Sequence, residues 1–380
     1  MGRREGDHDL QARTQRTRST PSRHQPGAHR ERRSAIVLTV ETNGDGGNPR
    51  EPSAIERVAD DRVRVAPESE DGDANYKFAL NVRVTNSGPT SAPLTLEIEW
   101  NDLIYRANRC FVHVGQGDHW TYVPAQVEGS RTIVQLEMPP GSTDIGVSPG
   151  YGWEQFRTFA AQVPPGVFRR EVLGYSAQGH PIEAFHVGAG AERIVVLARA
   201  HPYETAASYG IEGVPWWVSA GDAAQQLLAT CHLVIVPLSN PDGVVLGLCK
   251  RTAVQGGVDL SQEGARRGDA TAAAVMQCLD DVRPARLLDL HGWMWLHEDG
   301  LSYIDAAIKM RFVAAIGGHP PLADTIWRGW AAASDEAGLL RYCTRMFGTA
   351  ALEVSYRWPE RTVTQMRAIG AATIQAFCTM

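Results

Sequence analysis

The segment Arg193–Ala200, RIVVLARA, decides the fold, because this unbroken apolar strand runs directly into His201-Pro202-Tyr203-Glu204. Strands buried on both faces of a sheet are apolar at every position rather than at alternate positions. Similar segments follow at 233–238, 287–290 and 350–354. Helical patterns lie between or after them, near 204–219, 264–280, 322–338 and 362–378. The alternation predicts an α/β domain over 164–380, with a mixed sheet and helices on both of its faces.

The preceding part of the chain has a different hydrophobic period. Apolar and polar residues alternate along Tyr76–Val84, Leu94–Trp100 and Val134–Met138, and turn sequences such as Asn86–Pro89 separate these runs. Short alternating strands at this spacing are typical of two antiparallel sheets packed face to face. We therefore predict an antiparallel β-sandwich domain over 35–163.

Charge is distributed unevenly along the 380 residues. The segment 1–34 has nine arginines against four acidic residues, a formal charge of about +5. Because the whole chain has a net charge of −6, the remaining residues carry about −11. This segment has almost no large apolar residues, so we predict a disordered basic tail. The acidic balance of the remainder argues against a nucleic-acid-binding body, and no nucleic-acid partner is expected.

The sequence contains no membrane-span signal and no secretory-leader signal. No run of about 18 apolar residues occurs, and the N-terminus lacks an apolar core of the kind that leader peptides have. The six cysteines form no CxxC pair and most lie in apolar surroundings. We therefore expect a cytoplasmic, reducing location without membrane association.

Potential metal ligands follow the apolar strands. His201 and Glu204 are two residues apart at a strand-to-helix turn, His291 follows the strand 287–290, and Glu353 lies within the last strand. Ligand sites in open α/β sheets lie at the carboxyl ends of the strands. Two histidines and one glutamate, with a fourth position left for water, form a ligand set that catalytic zinc uses. The spacing therefore predicts one Zn²⁺ held by the two imidazoles and a carboxylate.

Five ordered motifs resemble the zinc metallocarboxypeptidases of peptidase family M14. They are the segments HPYE (201–204), NPDG (240–243), GVDL (257–260), DLHG (289–292) and ALEV (351–354). The closest likeness is to the cytosolic carboxypeptidase branch, which includes the tubulin deglutamylases and their bacterial relatives. The resemblance covers about 165–380 well and 75–163 loosely. It implies a zinc carboxypeptidase-like catalytic domain preceded by a β domain.

The resemblance also implies roles for individual residues. The zinc ligands would be His201, Glu204 and His291. Glu353 matches the general acid/base that activates water, and Arg251 matches the arginine that polarises the scissile carbonyl, with Lys250 as an alternative. Asp259 matches a carboxylate that orients the first histidine. Simpler interpretations stay open: a turn residue for Asp259 and a surface charge for Arg251.

One pair of residues departs from the family pattern. The family has Asn-Arg after the Val-Asp-Leu segment, and that pair binds the terminal carboxylate of the substrate, whereas this chain has Ser261-Gln262. A neutral amide cannot replace the two-pronged grip of a guanidinium on a carboxylate. Arg266 or Arg267 would supply the missing charge, unless both are solvated residues on a helix face.

Three functions are consistent with these features. The first is a zinc-dependent metallocarboxypeptidase-like hydrolase that cleaves an amide bond near the C-terminus of a peptide or protein. The second is an amidohydrolase of the same fold acting on a non-peptide or N-acyl amino acid substrate. The third is a catalytically weak binding protein whose β-sandwich domain recognises a protein partner. The complete zinc ligand set together with Glu353 favours an enzyme.

Overall fold

The computed structural model describes residues 38–70, 77–100, 109–293, 296–332 and 337–380. The tail predicted at 1–34 lies outside the described residues, and so do residues 35–37 at the start of the predicted sandwich domain. No helix within the described ranges combines the length and apolar character needed to cross a membrane.

The strands found in these ranges are β1 (Leu38–Thr42), β2 (Ile55–Ala59), β3 (Arg62–Val65), β4 (Asn81–Asn86), β5 (Ala92–Glu99), β6 (Phe111–Gln116), β7 (His119–Pro124), β8 (Gln126–Glu128), β9 (Arg131–Met138), β10 (Gly141–Gly146), β11 (Arg169–Tyr175), β12 (Pro181–Val187), β13 (Glu192–Ala198), β14 (Cys231–Val236), β15 (Arg286–Trp293), β16 (Asp299–Tyr303), β17 (Trp327–Ala331) and β18 (Ala350–Arg357).

The α-helices in the same ranges are α1 (Trp153–Gln162), α2 (Thr205–Glu212), α3 (Val214–Val218), α4 (Asp222–Thr230), α5 (Pro241–Val245), α6 (Leu260–Glu263), α7 (Ala270–Val282), α8 (Ala306–Ile316), α9 (Leu339–Phe347) and α10 (Val363–Thr379).

The first ten strands form the predicted sandwich. One sheet has the order β1-β4-β10-β6-β7 and the other β2-β3-β5-β9-β8. Inward residues of both sheets, including Val82, Val84, Leu94 and Leu96, share one buried core. The alternation of buried and partly exposed residues along β4 follows from the two-residue period of a strand. The pairing is antiparallel as predicted, except that β3 and β5 pair in parallel.

The remaining strands form one mixed sheet in the order β11-β12-β14-β13-β15-β18-β16-β17. Its centre, β14-β13-β15-β18, is parallel. Successive residues of β13 enter different cores: Ile194 and Val196 pack on one face, whereas Val195 and Leu197 pack on the other. This two-sided burial explains the unbroken apolar run in the sequence. The predicted mixed sheet with helices on both faces is confirmed.

The helix predicted at 322–338 is wrong. Residues Trp327–Ala331 form β17, which pairs in parallel with β16 at the edge of the sheet, and the next helix among the described residues begins at Leu339. Tryptophan side chains at 327 and 330 suit a pleated, half-buried surface, and pairing with β16 outweighs the helical pattern. The other predicted segments of the α/β region coincide approximately with strands or helices.

A glycine contact fixes α10 against α2, the helix that follows the HPYE segment. A Cβ atom added at Gly370 would lie 2.1 Å from the Cα of Gly210. The two helices can therefore approach this closely only with glycine at the crossing. Because Glu204 is the residue directly before α2, the position of α10 also constrains the predicted metal site.

We expect Gly370→Ala to lower the free energy of unfolding by about 1–3 kcal/mol, because overpacking outweighs the ~1 kcal/mol by which alanine favours a helix over glycine. Urea denaturation measures the change. The control is Ala368→Gly on the exposed side of α10, where only the helix propensity should matter. An unfolding free energy of Gly370→Ala at or above that of the wild type would contradict the tight crossing.

Candidate active site

The HPYE segment turns sharply between β13 and α2. Arg199 opens the turn with a φ of 60°, in the left-handed region. Its fully buried guanidinium donates from Nε to the carbonyl oxygen of Pro202 at 2.9 Å, and from Nη1 to Ser208 Oγ at 2.8 Å. It also donates to the carbonyl oxygen of Tyr151 at 3.2 Å. This network holds the turn, and with it the buried side chains of His201 and Glu204.

The three predicted metal ligands converge. Nδ1 of His201 lies 2.9 Å from Glu204 Oε1, and Nδ1 of His291, from β15, lies 2.6 Å from Glu204 Oε2. The two Nδ1 atoms are 3.1 Å apart. One possible ligand atom from each residue lies within 4.8 Å of the other two. Two imidazole nitrogens and a carboxylate fit the donor set of catalytic zinc.

The electrostatics of this cluster favour positive charge where the donor atoms meet. Burial lowers the pKa of His201, but the carboxylates of Glu204 and Asp259 outweigh burial and raise this pKa. Burial likewise lowers the pKa of His291, whereas Asp289 and Glu204 raise it, and the net result is well above the usual value. The surplus of carboxylates thus stabilises a proton or a metal ion at the imidazoles.

Each histidine has a second carboxylate behind it. His201 Nε2 lies 3.1 Å from Asp259 Oδ1, and His291 Nε2 lies 3.1 Å from Asp289 Oδ2. A carboxylate at Nε2 keeps the proton on that nitrogen and leaves the Nδ1 lone pair available for a metal. Asp259 therefore contacts His201 on the side of the ring away from Glu204.

Sequence reasoning missed Asp289. It lies two residues before His291 in β15, so the two side chains share one face of the strand. The carboxyl group is fully buried, where an unpaired charge would be costly. The DLHG spacing contained this signal, since an acidic residue in an otherwise apolar strand needs a partner.

Glu353 extends from β18 beside the same cluster. It is the register partner of Asp289 on the neighbouring strand, and Ser355 Oγ donates to its Oε1 at 3.4 Å. Burial raises the pKa of Glu353, and the opposing effect of His291 does not cancel this increase. A carboxyl group that holds its proton more readily than usual, beside a candidate metal centre, suits a role in proton transfer.

The two candidate cations after the NPDG segment occupy different surroundings. The guanidinium of Arg251 donates to the carbonyl oxygen of Gly257 at 2.7 Å and lies 3.7 Å from Glu263. By contrast, the ammonium of Lys250 is close enough to lower the pKa of both His201 and Asp259. Lys250 and Arg251 therefore both stay candidates for the cation that the resemblance implies.

The predicted substrate-binding pair lies beside the cluster of histidines and carboxylates. Ser261 is buried behind the cluster, where its Oγ lies 3.5 Å from His291 Nε2. The backbone N–H of Gln262 donates to Asp259 Oδ1 at 3.2 Å. Arg266 pairs with Glu263, and Arg267 pairs with Asp280, both at exposed positions.

The NPDG segment has a structural role. The carboxylate of Asp242 accepts hydrogen bonds from Ser176 Oγ and from the backbone N–H of Gln178, and His180 Nδ1 lies 2.7 Å from it. This carboxylate ties the β11–β12 hairpin to α5. The Ser176 hydroxyl donates to Asp242 and accepts the backbone N–H of His180, rather than bonding to the imidazole, so the three residues do not form a nucleophilic serine triad.

No model of a protein family matches the chain. An uncharacterised protein of Zymomonas mobilis is 29% identical over 157 residues, which cover 40% of this chain and 38% of that protein. Cytosolic carboxypeptidase 6 of Caenorhabditis elegans is 33% identical over 88 residues, or 21% of this chain and 19% of that protein. The matches thus span well under half of these relatives' own lengths.

Solved structures match over most of the chain. The metallo-carboxypeptidase of Burkholderia cenocepacia has a TM-score of 0.76 at 19% identity, covering 90% of this chain and 97% of that one. A metallo-carboxypeptidase of Pseudomonas aeruginosa, in complex with (2-guanidinoethylmercapto)succinic acid, has a TM-score of 0.76 at 18% identity, covering 90% and 98%. The resemblance inferred from the motifs is therefore confirmed at the level of the fold.

We expect Asp289→Asn to weaken zinc binding about 10- to 100-fold, because the neutral amide no longer fixes the Nε2 proton of His291 as firmly. Competition with a chromophoric chelator measures the affinity. Asp281→Asn, on the exposed side of α7, is the control. Zinc affinity of Asp289→Asn equal to that of the wild type, in a folded variant, would show that this carboxylate does not support the ligand.

Proposed function

We propose that this chain is a zinc-dependent hydrolase that cleaves an amide bond with an activated water molecule. The observation that carries the proposal is the convergence of His201, Glu204 and His291, with Glu353 on the next strand. Zinc held by these residues would lower the pKa of a bound water to about 7 and act as a Lewis acid toward the substrate carbonyl. The shared fold with metallo-carboxypeptidases supports the same chemistry.

In this proposal Glu353 moves the protons. Its carboxylate takes a proton from the attacking water and delivers it to the leaving nitrogen. The raised pKa of Glu353 suits both steps, since the group must hold the proton between them. His201 and His291 stay in one tautomer because Asp259 and Asp289 hold their Nε2 protons.

We assign the electrostatic role to Lys250 rather than to Arg251. The ammonium of Lys250 acts on His201, whereas the Arg251 guanidinium contacts Gly257 and Glu263. Fixed positive charge near the developing oxyanion stabilises the transition state. Lysine supplies this charge as a compact ammonium without the planar fork of arginine.

The preferred substrate in this proposal is a peptide or peptide-like amide that is not gripped by its terminal carboxylate. Ser261 is buried behind His291, and Gln262 offers a neutral amide. A second candidate function, hydrolysis of an N-acyl amino acid or other small amide, is favoured by the same two residues. A strict carboxypeptidase would require another cation in place of the family's arginine.

The proposal also includes the domain division of the chain and its cellular compartment. We retain the division into a sandwich domain over 35–163 and a catalytic domain over 164–380. The six cysteines are free thiols, five of them buried, which supports a reducing compartment such as the cytoplasm.

We expect Glu353→Gln to retain one zinc ion per chain and to lose at least about 100-fold in kcat, because proton transfer typically contributes a factor of 10²–10⁴. Metal analysis and hydrolysis of a peptide library measure the two quantities. His201→Ala should lose both zinc and activity, and Glu360→Gln, at an exposed position, is the control. Full activity of the zinc-loaded Glu353→Gln variant would eliminate Glu353 as the base.

We expect Gln262→Arg to raise the preference for free over amidated C-termini at least about tenfold, because charge-assisted hydrogen bonds contribute roughly 1.5–3 kcal/mol each. Paired peptides that differ only in C-terminal amidation measure this preference as kcat/KM. Gln255→Arg, at an exposed position in the loop before α6, is the control. A wild-type enzyme that already strongly prefers free C-termini, with no gain in the variant, would place the anchor elsewhere.

A further inference from the structure

Lys250 is an unusual residue in this chain. The sequence contains 34 arginines but only three lysines, Lys77, Lys250 and Lys309. One of the three, Lys250, lies between Cys249, which contacts the HPYE segment, and Arg251, which forms a β-bridge with Asp259. The placement of this side chain depends on the backbone of the segment 249–251, because a lysine stem reaches its target only from a fixed starting point.

The segment 249–251 lies between the elements that form the candidate site. The backbone N–H of Tyr203, within HPYE, donates to the carbonyl oxygen of Cys249 at 3.4 Å. Asn240 Nδ2, from NPDG, donates to the carbonyl oxygen of Arg251 at 3.0 Å. Arg251 also forms a β-bridge with Asp259. These contacts use carbonyl groups of the segment, so its N–H groups need other partners.

Glu70, from the N-terminal β region, is that partner. Its Oε1 accepts the backbone N–H of Lys250 at 2.7 Å, and its Oε2 accepts the backbone N–H of Arg251 at 3.1 Å. Glu70 is 6% exposed, and a buried carboxylate is stable only when donors compensate for its lost hydration. The two carboxylate oxygens therefore fix the two backbone nitrogens that flank the Lys250 Cα, one oxygen for each nitrogen.

A second contact from the same region supports the segment. The thiol of Cys249 accepts the backbone N–H groups of Phe78 and Ala79 at 3.4 and 3.3 Å. Two residues before Cys249, the carbonyl oxygen of Gly247 accepts a hydrogen bond from Asn48 Nδ2 at 3.0 Å. The N-terminal β region thus holds the polypeptide leading to Lys250 at several successive points.

We propose that Glu70 is a positioning residue for Lys250, and that the N-terminal β region thereby belongs to the catalytic unit rather than being a separate partner-binding module. Glu70 sets the backbone position from which the Lys250 side chain extends, next to the residue that forms a β-bridge with Asp259. The placement of the Lys250 backbone by Glu70 does not depend on the proposed hydrolase function, whereas its effect on turnover rests on that function.

Glu70→Gln is the informative change because it conserves the shape of the side chain. The new amide group faces a backbone N–H donor, so one of the two hydrogen bonds is lost and two donors oppose each other. Glu68→Gln is the matched control. Glu68 also accepts two backbone N–H groups, those of Arg50 and Glu51, but these lie within the N-terminal region.

The first experiment observes Lys250 without any substrate. With lysine labelled by ¹³C at the ε carbon, the full chain gives three side-chain NMR signals, which Lys→Arg variants assign. We expect Glu70→Gln to shift the Lys250 signal and leave Lys309 unchanged, whereas Glu68→Gln leaves both unchanged. An unshifted Lys250 signal in Glu70→Gln, or an equal shift in Glu68→Gln, would overturn the proposal.

The second experiment is a double-mutant cycle on the zinc-loaded enzyme. We expect Glu70→Gln to lower kcat about 10- to 100-fold with unchanged zinc content, as misplacement of a catalytic group does. Lys250→Met should lower kcat at least as much, and the double variant should be no slower than Lys250→Met alone. If the loss of kcat in the double variant equalled the product of the losses in the two single variants, Glu70 would act independently of Lys250 and the proposal would fail. An inactive wild type would refute the hydrolase function, while the NMR experiment still decides the placement.

Discussion

Two buried imidazoles surrounded by carboxylates are the constraint on which the rest of the structure depends. Glu204 lies between the Nδ1 atoms of His201 and His291, and a further carboxylate faces each Nε2 atom. Buried anions at this density are stable only with compensating positive charge. The pKa of each imidazole is raised accordingly. The cluster is therefore built around a cation, and its donor atoms are those that zinc prefers.

The fold supplies this cluster through its central parallel strands. β13 leads into the HPYE turn, β15 supplies His291 with Asp289, and β18 supplies Glu353. The buried Arg199 guanidinium donates to a backbone carbonyl oxygen of the turn and so holds the turn in place. The Gly210–Gly370 crossing fixes the helix that begins after Glu204. Rigid elements rather than long loops thus determine the distances between the ligands.

Sequence reasoning captured the parts of the molecule that depend on local pattern. The continuous apolar strand at 193–200 and the alternating run before Val84 indicated a two-sided sheet and a sandwich, and both were confirmed. The spacing of His201, Glu204 and His291 indicated a metal set, and the structure brings these residues together. Local pattern was insufficient at 322–338, where pairing with a distant strand overrode a helical sequence.

Apart from Asp289, the contributions that sequence reasoning missed depend on contacts between distant residues. Glu70 meets Lys250 across 180 positions of the chain, and no spacing rule connects them. The surroundings of Arg251 likewise depend on the folded loop, which brings its guanidinium to Gly257 and Glu263. Ser261 is polar in sequence, yet in the fold it lies behind a histidine rather than in a substrate pocket.

Anomalous diffraction from crystals of the zinc-loaded chain, recorded on both sides of the zinc absorption edge, tests the central claim most directly. The account predicts one strong zinc peak about 2.0–2.2 Å from Nδ1 of His201, Nδ1 of His291 and a carboxylate oxygen of Glu204. A peak bound through other residues, or no peak at this cluster in protein loaded with stoichiometric zinc, would contradict it.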